Sequence, residues 1–314
     1  MNTFDIFVDS AANIPDELVA RHDICMIPYT CTVNGVEQST YDKTRPFCDC
    51  AKEFYAQLRA GADIKTSLVS EATLISAIEP SLAAGRDVLV ITITESLSGT
   101  TRQAQVARDA LLERYPDRKI FVIDSCNASM GEGLLALKAA DLRDMGESVE
   151  ACAEWVENNR YKLNSYVTVD DLKYLRKSGR VSMVKAIAGA ILGIKPILHA
   201  DGGTPARLTF FSKEKGRKKA LAELLRALDE NVVDLASQTV AIAHADCEED
   251  ALYLRDELVK RGAADVIVEY YDLCTGSHVG PGTVALFYFG KDRRSVTAPE
   301  KRSLLARRRQ PVKT

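Results

Sequence analysis

Short blocks of β-branched and aliphatic residues alternate along this chain with longer stretches of helical periodicity, and that alternation restricts the fold to the α/β class. The clearest unit is VLVITITESLSGTTRQAQVARDALLERY, residues 88–115, where a strand pattern runs straight into a helix pattern. FDIFV (4–8) predicts a first strand and IPDELVARH the helix behind it; CMIPYTCTV with Asn34-Gly35 after it predicts a strand entering a turn. RPFCDCAKEFYAQLRAG predicts a helix ended at Gly61. Helix 71–84, strand 87–94, helix 99–114, strand 119–123 and helix 130–145 complete the first half. Together they predict a doubly wound, mainly parallel sheet with helices on both faces.

From about residue 147 the texture changes. A helix to Asn159, strand SYVTV (165–169), helix 170–177 and the small-residue helix MVKAIAGAILG precede two strands around the Asp201-Gly202-Gly203 turn. A basic helix from 213, strand 239–243, helix 248–261, strand 265–270 and the strand VALFYFG follow. This predicts a smaller C-terminal α/β sheet domain with helices on one side. At 314 residues the chain is long for one core. We place an N-terminal domain at 1–155, a C-terminal domain at 156–290 and a basic tail at 291–314, the last with nine Lys/Arg against Asp292 and Glu300 and expected to be solvated.

A net charge of −3 lacks the basic footprint of a nucleic-acid binder. MNTFDIFVDSAANIP has no basic segment followed by an apolar one, and no apolar run reaches the about 18 residues of a membrane span, so the expected location is cytoplasmic without stable membrane insertion. The eight cysteines are mostly scattered; Cys48 and Cys50 are close but have no second pair to complete a zinc site, so no metal is expected and reduced thiols are.

Ser98 admits three readings. As a nucleophile it lacks the flanking glycines of a G-x-S-x-G elbow, because the frame is Ser96-Leu97-Ser98-Gly99-Thr100. As an anion cradle, Ser98, Gly99 and Thr100 supply two hydroxyls and open backbone at a helix start, where unpaired N–H groups and the helix dipole favour negative charge. As a plain helix cap it would contribute about 1 kcal/mol. Thr66 and Ser67, in IKTSLVSEATLISAIE, are expected where a chain leaving a strand crosses the carboxyl edge of a sheet, the edge that binds ligands in open α/β folds; the alternative is a capping loop before a helix at Ser70-Glu71. CTGSHVGPG (274–282) is expected to be bent rather than regular, displaying His278 on a Gly/Pro loop. His199 and His244 read as structural and His22 as a helix-end residue. Arg176, Lys177 and Arg180 surround Ser178-Gly179 ahead of the small-residue helix, which leaves room either for packing or for a narrow apolar ligand.

These strings occur in an order that resembles the DegV family of fatty-acid-binding proteins over about residues 1 to 290: DSAANIP, KTSLVSEATL, SLSGTTRQA, VIDSCNASMGEGLLAL, VDDLKYLRKSGRVS, ILGIKPIL, KGRKKAL and GSHVGPGTVALFYFG. The resemblance implies a two-domain protein enclosing one long-chain fatty acid such as palmitate between its domains. It places the Thr and Ser that hold the carboxylate on Thr66 and Ser98, the head-group histidine on His278, and the arginine of the Gly-Arg motif on Arg180. It further implies a carrier with no cofactor, not an enzyme, that presents its ligand to a separate ATP-dependent fatty acid kinase; no Walker-type or kinase-type glycine loop is present here. Two departures stand out: Leu68-Val69 replace Gln-Pro, and Thr94-Glu95-Ser96 replace Ser-Ser-Gly, bringing a carboxylate near the head-group motif.

The physics suits a carrier. Moving a sixteen-carbon chain out of water at ~0.8 kcal/mol per CH₂ yields a gross driving force of roughly 10 kcal/mol. A carboxylate in a half-buried site must be hydrogen-bonded or it takes up a proton. The alternative function is an acyl-ester hydrolase using Ser98 and His278. Fold-level analogy alone would add a phosphotransfer or sugar-phosphate enzyme. The basic helix SKEKGRKKALAELLRAL offers a docking face for an acidic kinase partner, or simply a solvated surface.

Overall fold

The computed structural model describes residues 4–42, 44–179 and 193–295, and the alternation read from the sequence is present in it. In chain order the first part runs β1 (Phe4–Asp9), α1 (Asp16–Arg21), β2 (Ile24–Ile27), β3 (Thr30–Val33), β4 (Val36–Ser39), α2 (Phe47–Arg59), β5 (Ile64–Ser67), α3 (Glu71–Ala83), β6 (Asp87–Thr92), α4 (Thr100–Arg114), β7 (Ile120–Asp124), α5 (Met130–Asp144) and α6 (Val149–Asn159). The second runs β8 (Leu163–Thr168), α7 (Leu172–Ser178), β9 (Ile194–Ala200), β10 (Leu208–Lys215), α8 (Arg217–Asn231), β11 (Thr239–His244), α9 (Glu248–Lys260), β12 (Asp265–Tyr270), α10 (Leu273–Val279) and β13 (Val284–Phe289).

Four strands form a parallel sheet in the order β2-β1-β6-β7. All of β1 and all of β6 after Asp87 are buried, the mark of parallel strands covered on both faces. Helices α3 and α4 cover one face, and α5 and α6 the other. The order reverses between β1 and β6, so the chain leaves those two neighbours toward opposite sides and opens a crevice at their carboxyl ends. Residues 93–98 leave β6 at that crevice.

The second sheet has six strands in the order β10-β9-β8-β13-β11-β12, with only β11 and β12 parallel. Of its strand connections among the described residues, β9 to β10 is a direct hairpin, whereas α8, α9 and α10 lie between the strands that follow. Its outer face is packed by α8 and α9 around Leu224, Leu228, Leu254 and Leu258. The inner face was expected to be bare of helices and is not: α5 packs on β8, β11 and β13 as well as on β1 and β6. One continuous core therefore runs from Ile6 and Ile91 through Leu135 and Ala139 to Val167 and Phe287. Small residues make the double burial feasible; a Cβ on Gly133 would lie 2.5 Å from the Ala12 carbonyl oxygen. The first sheet uses residues before 125 and the second residues after 162; a domain limit at 155, which falls within α6, remains our proposal.

A third sheet, β4-β3-β5, is antiparallel and was not anticipated. Asn34 and Gly35, at φ 52° and 85°, make the tight β3–β4 hairpin, whereas β5 joins from thirty residues downstream with Cys31 opposite Thr66.

Three local expectations change. The 274–282 string is not an irregular loop at its start: α10 spans Leu273–Val279, capped by Asp272, which accepts from the Thr275 N–H at 2.9 Å, and ended by Gly280 at φ 82°. Its Gly276 is where a Cβ would run into the Tyr55 hydroxyl. The basic helix begins at Arg217 and not at 213, because residues through Lys215 pair with β9. The tail is not wholly solvated at its start: Arg293 is buried and donates to the carbonyls of Asp201, Leu163 and Cys126 and to Asn127 Oδ1, which satisfy the guanidinium without a carboxylate. Arg180, the small-residue helix from 183 and residues from 296 lie outside the described residues. No helix among the described residues is long and apolar enough to cross a membrane.

Candidate functional site

A cavity of about 300 Å³ opens between the carboxyl edge of the parallel sheet and the inner face of the six-stranded one, at the lower end of the size of small-molecule pockets. Ile93 and Leu97 line it from the β6–α4 loop, Val167 and Phe287 from β8 and β13, and Leu208 and Val279 from β10 and α10. Apolar side chains from the six-stranded sheet, the β6–α4 loop and α10 thus share one wall. Among the described lining residues no Asp or Glu occurs, and Arg207, exposed at the rim, is the one Arg or Lys.

Polar groups line the same cavity, each delivered by a different element. Thr66 stands in β5, Ser98 in the turn before α4, and His278 in the last turn of α10. The Thr66 hydroxyl and His278 Nε2 are 2.9 Å apart. Ser98 Oγ lies 2.9 Å from Thr100 Oγ1 and accepts from the Tyr29 hydroxyl at 3.2 Å; Tyr29 and Thr100 hydroxyls are 2.8 Å apart. Ser67 and Gly99 also line the cavity, whereas Thr100 is fully buried behind Ser98. Five of the residues singled out from sequence therefore meet at one wall, a sixth supports it, and the seventh, Arg180, is not described. Thr66 arrives differently from expectation, from the small antiparallel sheet and not from the parallel one.

The loop that carries Ser98 is held from both sides. Thr94 and Ser96 hydroxyls donate to the Ala206 carbonyl at 3.2 and 2.5 Å, and the Ile93 N–H donates to Asp9 Oδ2 at 3.0 Å. The Ser98 N–H returns to the Thr94 carbonyl at 3.3 Å. Gly99 takes the cap position of α4 with no side-chain cap bond, and the Ser98 hydroxyl reaches the Thr100 N–H only at 3.4 Å. Capping is thus a minor role for this serine. Glu95 does not line the cavity and pairs with Arg102 at 2.5 Å, so the carboxylate that departs from the family pattern has its own counter-charge.

Tyr29 was missed by sequence reasoning. It is a buried residue between β2 and β3 whose position beside Ser98 depends on the β2–β1–β6 order, which periodicity does not fix. Burial first, then the neighbouring acidic groups Asp9 and Cys274, hold its phenol well above the ordinary tyrosine pKa, so it stays a donor. Burial likewise pushes the Cys274 thiol at the cavity wall well up, which leaves it un-ionised. His199 and His244 are buried away from the cavity, both pushed down to about 4 by burial, with His244 packed on Tyr270 at 4.2 Å between ring centres. The described residues contain no cluster able to hold a metal ion, and no cysteine among them is in a disulfide.

The chain matches the model of the DegV family, described as an uncharacterised protein family, over residues 3–291. A DegV domain-containing protein of Clostridium perfringens is 37% identical over 293 residues, covering 92% of this chain and 98% of that one. Among solved structures, a DegV lipid-binding protein of Thermotoga maritima is 26% identical with a TM-score of 0.80, covering 93% of this chain and 99% of its own. DegV of Bacillus subtilis, a fatty-acid-binding protein, is 27% identical with a TM-score of 0.78, covering 93% and 100%. The match in sequence and in fold extends across both sheets and the cavity between them, and the chain belongs to the DegV family.

Proposed function

We propose that this protein binds one long-chain fatty acid, with its acyl chain along the apolar wall and its carboxylate at Thr66, Ser98 and His278. The observation that carries the reading is that one cavity is lined both by apolar side chains and by the hydroxyls of Thr66 and Ser98 and the imidazole of His278, groups able to donate to an acceptor-only anion. Solved relatives described as lipid- or fatty-acid-binding support it. Native mass spectrometry of the purified protein tests it: an adduct of fatty-acid mass is expected, and a clean ligand-free mass under gentle conditions, with no uptake of added palmitate, contradicts it.

The protein then acts as a carrier, presenting its carboxylate for transport or to a separate ATP-dependent kinase. The hydrolase alternative is disfavoured by the partners of Ser98, which are two hydroxyls and a backbone amide, none of them a base. Labelling of Ser98 by a fluorophosphonate probe would reverse that judgement. For the kinase, Lys218 and Lys219 on α8 are exposed, whereas Arg217 is already engaged by Asp250 at 2.8 Å. Charge reversal at the two lysines is expected to weaken complex formation with a fatty acid kinase and leave fatty-acid binding intact.

A further inference from the structure

Three hydroxyls, of Tyr29, Ser98 and Thr100, form a closed triangle with edges of 3.2, 2.9 and 2.8 Å. Each has one proton to give. With all three protons spent inside the ring, Ser98 would present only lone pairs to the cavity, and lone pairs repel a carboxylate. We propose that Tyr29 and Thr100 form a relay that orders the Ser98 proton toward the cavity, and that this relay makes the site select an ionised carboxylate over an uncharged acyl head group of the same chain length. The proposal rests on the fatty-acid reading above and names the residues that set its head-group specificity.

The direction of the relay follows from its surroundings. The Val69 N–H approaches Thr100 Oγ1 at 3.4 Å and occupies a lone pair there, which favours Thr100 spending its own proton on Tyr29. The Tyr29 hydroxyl is oriented to donate to Ser98. The other acceptor beside it, Asp9, receives the Ala11 N–H at 3.1 Å and the Ile93 N–H at 3.0 Å and also draws on the Tyr29 hydroxyl, so either way the Tyr29 proton is spent away from Thr100. Ser98 is left to donate outward. The line Val69, Thr100, Tyr29, Ser98, ligand gives up one edge of the triangle and replaces it with a charge-assisted bond, and each bond polarises the next. A methyl ester accepts this proton weakly. A fatty alcohol must supply its own proton as well as accept one, in a site whose hydroxyls are already arranged to donate. No proton leaves the protein in any of these steps. Tyr29 is a positioning residue, acting through Ser98.

The experiment measures displacement of a fluorescent fatty acid by hexadecanoate, methyl hexadecanoate and hexadecanol, in the wild-type protein and in Tyr29→Phe, Thr100→Val, Ser98→Ala and Tyr29→Phe/Ser98→Ala. Tyr29→Phe is expected to weaken acid binding by about two- to tenfold while ester and alcohol change by less than about twofold. Thr100→Val should give the same pattern. In the Ser98→Ala background the Tyr29→Phe change should have no further effect on the acid, the signature of one residue acting through another. Equal weakening of acid, ester and alcohol, or additive effects with Ser98→Ala, overturns the relay and leaves the fatty-acid reading standing. A wild-type protein that binds no hexadecanoate overturns both.

Discussion

The Thr66 hydroxyl and the His278 imidazole Nε2 meet at 2.9 Å across 212 positions of sequence, one carried by the small antiparallel sheet and the other by α10. Both line the cavity, and the pair ties together elements that share no backbone pairing. In the proposed site, removing the Thr66 hydroxyl takes away one bond to the carboxylate together with one partner of His278. Thr66→Ala is expected to weaken binding of a sixteen-carbon fatty acid by about 10- to 100-fold by titration calorimetry, with Thr66→Ser near wild type. Equal affinity in Thr66→Ala and wild type would remove this residue from the head-group site.

Chain-length preference should answer to the apolar wall. Val167 on β8 is buried at the cavity and faces the same space as Phe287. Val167→Phe fills part of the volume that distal methylenes need, and each excluded CH₂ forfeits ~0.8 kcal/mol. The variant should shift preference toward shorter acyl chains in competition against a homologous series from twelve to eighteen carbons, with the carboxylate still held. An unchanged ranking would place the acyl chain elsewhere.

Glu95 is a test of orientation. Glu95 is paired with Arg102, which supplies its counter-charge. Glu95→Gln should leave fatty-acid affinity within about twofold, as expected for an exposed ion pair. Arg102→Ala should weaken it, because the freed carboxylate then repels the ligand head group, and the loss should shrink in high salt.

Glu132, in the first turn of α5, is completely buried between the two sheets, and both its carboxyl oxygens lack a hydrogen-bond partner among the described residues. Burial first, then the neighbouring charges of Asp9, Asp272 and Asp124, hold its pKa well above the usual carboxylate range. A folded-state pKa raised above the unfolded one means stability that is full at low pH and lost as pH rises through the folded value. Asp9, pushed up to about 7, and Asp272, to about 6, act in the same direction, while buried His199 and His244, pushed down to about 4, act oppositely below pH 6.5. The difference between variant and wild type isolates Glu132. Glu132→Gln should raise Tm at pH 8, and the gain should shrink at pH 5; a gain or loss independent of pH would mean the side chain acts through packing alone.

Much of this was legible in sequence because hydrophobic period reports local structure. The β6-to-α4 unit announced itself in VLVITITESLSGTTRQ, and Ser98 sits at its turn as expected. Long-range pairing was not legible. Tyr29 reaches Ser98 only because β2 lies beside β1 and β1 beside β6, and β5 joins β3 from thirty residues downstream. The GSHVGP segment was misread because glycine was taken as a sign of irregular chain, whereas Gly276 is small so that α10 can press on Tyr55. The double burial of α5 was equally hidden, since its Ala and Gly content reads as weak amphipathicity until both sheets are in place.

The central claim, that Ser98 holds a carboxylate without attacking it, is tested most directly by NMR of a fatty acid labelled with ¹³C at the carboxyl carbon. Bound to wild-type protein, the resonance should remain that of a free carboxylate, be displaced from its position in solvent, and keep its ionised state to lower pH than in the Ser98→Ala and Thr66→Ala proteins. A resonance at the ester position, or one that neither substitution moves, would contradict the account.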